Sequence, residues 1–156
     1  MQERGWPVSR TPCVLVADDD DVLRGVIQRT LCRAGYRVLE AEDGSAALAC
    51  FRAYERVIEL VLTDITMPGL CGDELGARVR ESAAAPPLIY MSGRSRAELL
   101  DERRLSPADV YIQKPFSRAC LMREIRGQLG ATLPPAAGTP AQRVAASSAS
   151  PSARNK

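Results

Sequence analysis

Short apolar runs alternate along this chain with segments of helical rhythm. The run CVLVA, Cys13–Ala17, has no polar interruption, as a strand buried on both faces of a sheet would read. It ends in four consecutive aspartates, Asp18 to Asp21. Val22, Leu23, Val26, Ile27, Thr30 and Leu31 then recur at spacings of three and four, which predicts an amphipathic helix with these residues on its inner face and Gly35 as its stop. Residues 36–40 read as a second strand, Asp43-Gly44 as a turn, and 45–54 as a helix with Ala47, Leu48 and Phe51 inward. A central strand over 57–63 runs into a lone acid, Asp64, and the chain breaks at Met67-Pro68-Gly69.

A third helix is expected over 73–81, stopped by Pro86-Pro87, and a fourth strand over 88–91 ends at Ser92-Gly93. Ser95 and Glu98 have capping-box spacing for a fourth helix, whose apolar face (Ala97, Leu99, Leu100) is short. Val110–Gln113 reads as a fifth strand leading to Lys114-Pro115. Ser117 would cap a last helix, with Leu121, Ile125 and Leu129 at every fourth position and closure near Gly130. Five alternations of strand and helix imply a parallel sheet covered by helices on both faces. The pattern places one domain at 12–130, preceded by a flexible arm at 1–11. The Ala, Pro and Ser of 131–156, without aromatics or hydrophobic period, predict a disordered tail.

Charge refines this division. The formal net charge is +2, yet all nineteen acidic residues precede position 125. Positions 13–130 hold sixteen basic and eighteen acidic residues, a net of −2, which argues against a nucleic-acid-binding surface. There is no histidine, which excludes Ser-His and Cys-His nucleophiles and histidine-ligated metals in this chain. Nineteen of the twenty-one basic residues are arginine, and Lys114 is the only lysine before the tail. Five cysteines without CxxC spacing read as reduced packing residues. No apolar run reaches the length of a membrane span and the first residues lack a signal-peptide core, so a cytoplasmic chain without membrane contact is expected.

Parallel strands bring their carboxyl ends to one edge, where open α/β sheets bind ligands. Asp18 and Asp19 follow the first strand, Asp64 the third, Ser92 the fourth and Lys114 the fifth. Three carboxylates together repel unless a cation neutralises them, and a hard divalent ion such as Mg²⁺ suits all-oxygen ligands. Lysine and serine are common partners of phosphate oxygens. Taken singly, Asp18 to Asp21 also read as a helix-capping run, Ser92 as a loop serine and Tyr111 as core.

In this order and at these intervals, VLVADDD, VLTDITMPG, YMSG and YIQKPF resemble the receiver domain of two-component response regulators. The resemblance covers about 12–130 and implies a flavodoxin-like (βα)5 fold, a doubly wound parallel sheet of strand order 2-1-3-4-5. It implies that Asp64 accepts a phosphoryl group from a phosphohistidine on a partner kinase or histidine phosphotransfer protein. Asp18 and Asp19 would hold Mg²⁺ with the Asp64 carboxylate and the Thr66 backbone carbonyl. Ser92 would be the switch hydroxyl, Lys114 the phosphoryl partner, Tyr111 the aromatic that follows the switch, and Lys114-Pro115 a cis peptide. Such a chain is a signalling phosphoacceptor rather than an enzyme acting on other molecules. Its output would pass through the fourth helix, fifth strand and fifth helix to a protein partner, with no DNA-binding domain expected after Gly130. Whether phosphorylation drives dimer formation is left open, as is a stand-alone chain against a piece of a hybrid sensor kinase.

Ser92 stands where the family often has Thr, and Gly93 and Arg94 follow it; Thr66 and Arg94 lie where the family tunes phosphate lifetime. Two other readings fit part of the pattern. Asp18, Asp20 and Val22 match the DxDx(T/V) opening of haloacid-dehalogenase-type phosphatases, but beyond Lys114 only Glu124 is acidic and that family needs a second acidic motif there. A receiver-like module that binds partners without phosphorylation is the remaining alternative.

Overall fold

The structure, a computed structural model, describes residues 11–130 together with the backbone of Val144 and Ala145. Within 11–130, strands and helices alternate: β1 (Cys13–Ala17), α1 (Asp21–Arg33), β2 (Arg37–Ala41), α2 (Gly44–Tyr54), β3 (Ile58–Asp64), α3 (Gly72–Arg80), β4 (Leu88–Ser92), α4 (Arg96–Asp101), β5 (Val110–Gln113) and α5 (Arg118–Leu129). Parallel pairing joins β1 to both β2 and β3, then β3 to β4 and β4 to β5. The resulting order, 2-1-3-4-5, is that of a flavodoxin-like α/β fold. A two-residue strand, β6 (Val144–Ala145), lies parallel to β2 at the sheet's other edge, with Leu39 opposite Val144. The expected arm, up to residue 10, and the rest of the tail lie outside the described residues.

Period-two alternation in the strands divides the core between two faces. Leu15, Ala17, Leu39 and Val61 face α2, α3 and α4, meeting Phe51, Leu75, Val79 and Leu99. Val14, Val16, Leu60, Leu62 and Met91 face α1 and α5, meeting Ile27, Leu31, Leu121 and Ile125. β1 is buried on both faces, which accounts for its unbroken apolar sequence, and β3 is buried along its length except at the half-buried Glu59.

Helix starts follow their caps. Asp20 accepts from the N–H groups of Val22 and Leu23, Asp43 from Ala46, Ser95 from Glu98 and Ser117 from Cys120. One expectation is corrected. Val22 and Val26 do not face the core; they are 76% and 46% exposed. Two stripes with spacing four run side by side on α1, and the sheet covers only the one formed by Leu23, Ile27 and Leu31, leaving its neighbour at Val22, Val26 and Thr30 outward. The short α4 has a single fully buried residue, Leu99.

Candidate functional site at the carboxyl edge of the sheet

Register explains how residues far apart in sequence meet. Ala17 stands opposite Thr63, so Asp18 and Asp64 leave the sheet at the same level. Asp64 pairs with Met91 and Ser92 pairs with Gln113, which steps Ser92 and then Lys114 outward along the same edge. Asp18 is fully buried, Asp64 and Ser92 nearly so, while Asp19 is exposed. The backbone holds Asp18 in place: its N–H donates to the Ala41 carbonyl, its Oδ1 accepts from Asp20 N–H at 2.9 Å, and the Arg24 guanidinium donates to its carbonyl at 2.6 Å.

Lys114 closes the cluster. Its Nζ lies 2.8 Å from Asp18 Oδ2 and 3.1 Å from Asp64 Oδ2, and its N–H donates to the Ser92 carbonyl at 2.8 Å. The Lys114-Pro115 peptide is cis. Burial pushes the Asp64 carboxyl above its ordinary range; Lys114 opposes this and Asp18 adds to it. For Lys114, burial pulls down, but the hydrogen bonds and charges of Asp18 and Asp64 outweigh it and hold the ammonium above its usual value. The ammonium therefore compensates two buried acids at neutral pH.

One oxygen each from Asp18, Asp19 and Asp64 lie within 4.8 Å of one another, and this group could hold a metal ion. An all-carboxylate donor set fits a hard divalent cation. Asp19 has no other partner among the described residues, so it is free to be a ligand. Thr66 is exposed and donates its N–H to Asp64 Oδ1 at 3.2 Å. Asp20 stands apart: its Oδ1 is taken by the first N–H groups of α1. The second acid of the dehalogenase-type opening is thus a helix cap here.

Around Ser92 the β4–α4 loop is closely tied. Ser92 Oγ accepts from Arg94 N–H at 3.1 Å, and the Tyr111 hydroxyl donates to the carbonyls of Ser92 (3.1 Å) and Arg94. Tyr111 is half-buried, and burial raises its phenol above the usual value.

Several contributors carry no sequence signal. Gly72 begins α3 against the end of β3, where a Cβ would overlap the Asp64 carbonyl oxygen. Arg94 forks onto both oxygens of Glu102 at 2.7 and 2.5 Å, spanning α4. Arg104 pairs with Asp73 at 2.8 Å and also donates to the Ile65 carbonyl, one residue past Asp64. An alternating pattern can announce a strand end, but not which arginine returns to it.

The fold, the strand-end acids and the matched lysine define a class, and the family comparison names it: residues 14–126 match the response regulator receiver domain, and the chain belongs to that family of signalling phosphoacceptors. Among its relatives is an uncharacterized transcriptional regulatory protein, YrkP of Bacillus subtilis, 35% identical over 116 residues, or 74% of this chain and 48% of that protein. The autoinducer 1 sensor kinase/phosphatase LuxN of Vibrio campbellii is 32% identical over 122 residues, 78% of this chain and 14% of its own length. The chain therefore spans half or less of these relatives. Of solved structures, chemotaxis protein CheY4 of Vibrio cholerae superposes with a TM-score of 0.69 at 27% identity, covering 76% of this chain and 99% of that one. No helix among the described residues is long and apolar enough to cross a membrane.

Proposed function

We propose that this domain takes a phosphoryl group from a phosphohistidine onto Asp64 and turns its presence into a change at a protein-binding surface. The observation that carries this reading is Lys114 bridging Asp18 and Asp64 at a sheet edge that also holds Ser92. Asp64 Oδ2 sits on Lys114 and Oδ1 on the Thr66 N–H, so the carboxylate is held in one orientation. An oriented, ionised aspartate is all the nucleophile needs to be, because phosphoryl transfer runs through a loose transition state governed by position and charge.

In the step proposed, a carboxylate oxygen of Asp64 forms the new bond to phosphorus as the bond to the donor's imidazole nitrogen breaks, and the imidazole leaves with the electron pair. Asp18, Asp19 and Asp64, with the Thr66 backbone carbonyl, would hold Mg²⁺, which supplies neutralisation of the negative charge that gathers on the phosphoryl oxygens. Lys114 leaves its carboxylate pairing for the new phosphoryl oxygens. Ser92 gives up its bond from the Arg94 N–H to donate its hydroxyl, and Tyr111, bonded to the same loop, follows.

A sensor histidine kinase or a histidine phosphotransfer protein is the proposed donor. The exposed Val22 and Val26, immediately after the acidic run, support this by offering a donor helix an apolar face beside Asp64's edge. Output is proposed through α4, β5 and α5, where Tyr111 reports on the β4–α4 loop.

Intact mass after incubation with phosphoramidate, with and without Mg²⁺, tests the reading. One phosphoryl group gained only with Mg²⁺, lost to hydroxylamine and absent in Asp64→Asn, is expected. No gain in a folded wild type would overturn it in favour of a module that binds without phosphorylation.

A further inference from the structure

A cleft of about 700 Å³ opens between α3 and the segment that follows α4, away from the strand-end acids. That volume is in the range of small-molecule sites. Its floor is apolar, with Leu100 and Leu105, and at its back lies Tyr90, 1% exposed. The Tyr90 hydroxyl makes no hydrogen bond to any described residue. Room for it exists because position 76 is glycine: a Cβ there would overlap the phenol oxygen. Burial pushes this phenol up to about 12, so across the neutral range it keeps its proton and can donate it.

The mouth of the cleft carries an exposed, unpaired cation. Arg80 is paired with Asp109 and Arg104 with Asp73, whereas Arg103 has no partner among the described residues. Arg103 is also the one described non-glycine residue with positive φ, at 57°. It occupies the left-handed position that ends α4, with its N–H on the Leu100 carbonyl and the next N–H on Leu99, where glycine is the relaxed choice. An arginine stands there against its backbone preference, with its guanidinium unpaired among the described residues.

We propose that this cleft binds a small monoanionic carboxylate with an apolar body, the carboxylate between Arg103 and the Tyr90 hydroxyl and the body on Leu100 and Leu105. Asp73, Glu74 and Asp109 in the same lining disfavour a multiply charged phosphate.

The test uses the full chain and 2-naphthoate, with neutral 2-naphthamide as its control, followed by saturable amide shifts at Leu100 and Leu105. The acid is expected to bind at least tenfold more tightly than the amide. Tyr90→Phe, which keeps the ring, should weaken the acid severalfold. Arg103→Gly should raise the melting temperature while weakening the acid about tenfold, an opposition of signs that loss of fold cannot produce. Equal binding of acid and amide, or undiminished binding by Arg103→Gly, overturns the proposal. None of these outcomes depends on whether Asp64 is phosphorylated.

Discussion

Lys114 sets its ammonium 2.8 Å from the carboxylate of Asp18, a side chain with no solvent exposure, across ninety-six positions of sequence. The same nitrogen reaches Asp64, so two buried acids rely on one cation. Removing it leaves both uncompensated. Lys114→Met is expected to lose about 3 kcal/mol of stability in chelator, the cost of breaking a buried pair from one side. Millimolar Mg²⁺ should return a larger part of that loss than it adds to wild type, since the ion can take over the neutralising role. Urea unfolding of both proteins with and without Mg²⁺ decides it; equal Mg²⁺ effects would count against the shared site.

Asp64→Asn should abolish phosphorylation and at the same time stabilise the fold. Burial raises the Asp64 carboxyl above 3.8, so its ionisation opposes folding. A carboxyl raised in the folded state contributes stability below its unfolded pKa and loses that contribution as pH rises through its folded one. The stability gap between variant and wild type should therefore widen from pH 3.5 toward neutrality in chelator. A gap that narrows would contradict the desolvated carboxylate.

Gly72→Ala places a methyl against the Asp64 carbonyl, a backbone atom that cannot swing away. A loss of about 2 kcal/mol is expected, with slower phosphorylation as Asp64 is displaced. Gly93→Ala, with open space at its Cβ, is the matched control and should leave stability near that of wild type. Thermal melts and transfer rates of the two side by side provide the check.

Ser95→Ala removes the cap of a helix that has only Leu99 fully buried. About 1 kcal/mol is expected locally. Because α4 has so little packing, that loss should appear as faster amide exchange over 96–105 with small change in global unfolding. Uniform acceleration across the sheet would show α4 to be integral to the core.

The sheet and the places of Asp18, Asp64, Ser92 and Lys114 were legible because each is a strand end, and five apolar runs mark five strand ends. Lys114 was further singled out by an arginine-rich background. Periodicity failed on α1, where Val22 and Val26 share a spacing with the buried stripe and only the sheet's position chooses between them. The Arg94–Glu102 fork and the reach of Arg104 to Ile65 were hidden for another reason. Long charged side chains on loops have no period, and with nineteen arginines none is distinguished by type. Arg103 belongs with these, since its importance lies in a backbone angle that arginine does not advertise.

The far edge of the sheet, at β5, pairs among the described residues with β4 alone and runs for four residues, with Pro115 two positions past its end. A strand that short, with a residue that has no N–H two positions past its end, cannot template a long ladder with a neighbouring copy. Its length thus guards against edge-to-edge aggregation while leaving the neighbouring helices open to a partner that must recognise side chains rather than backbone.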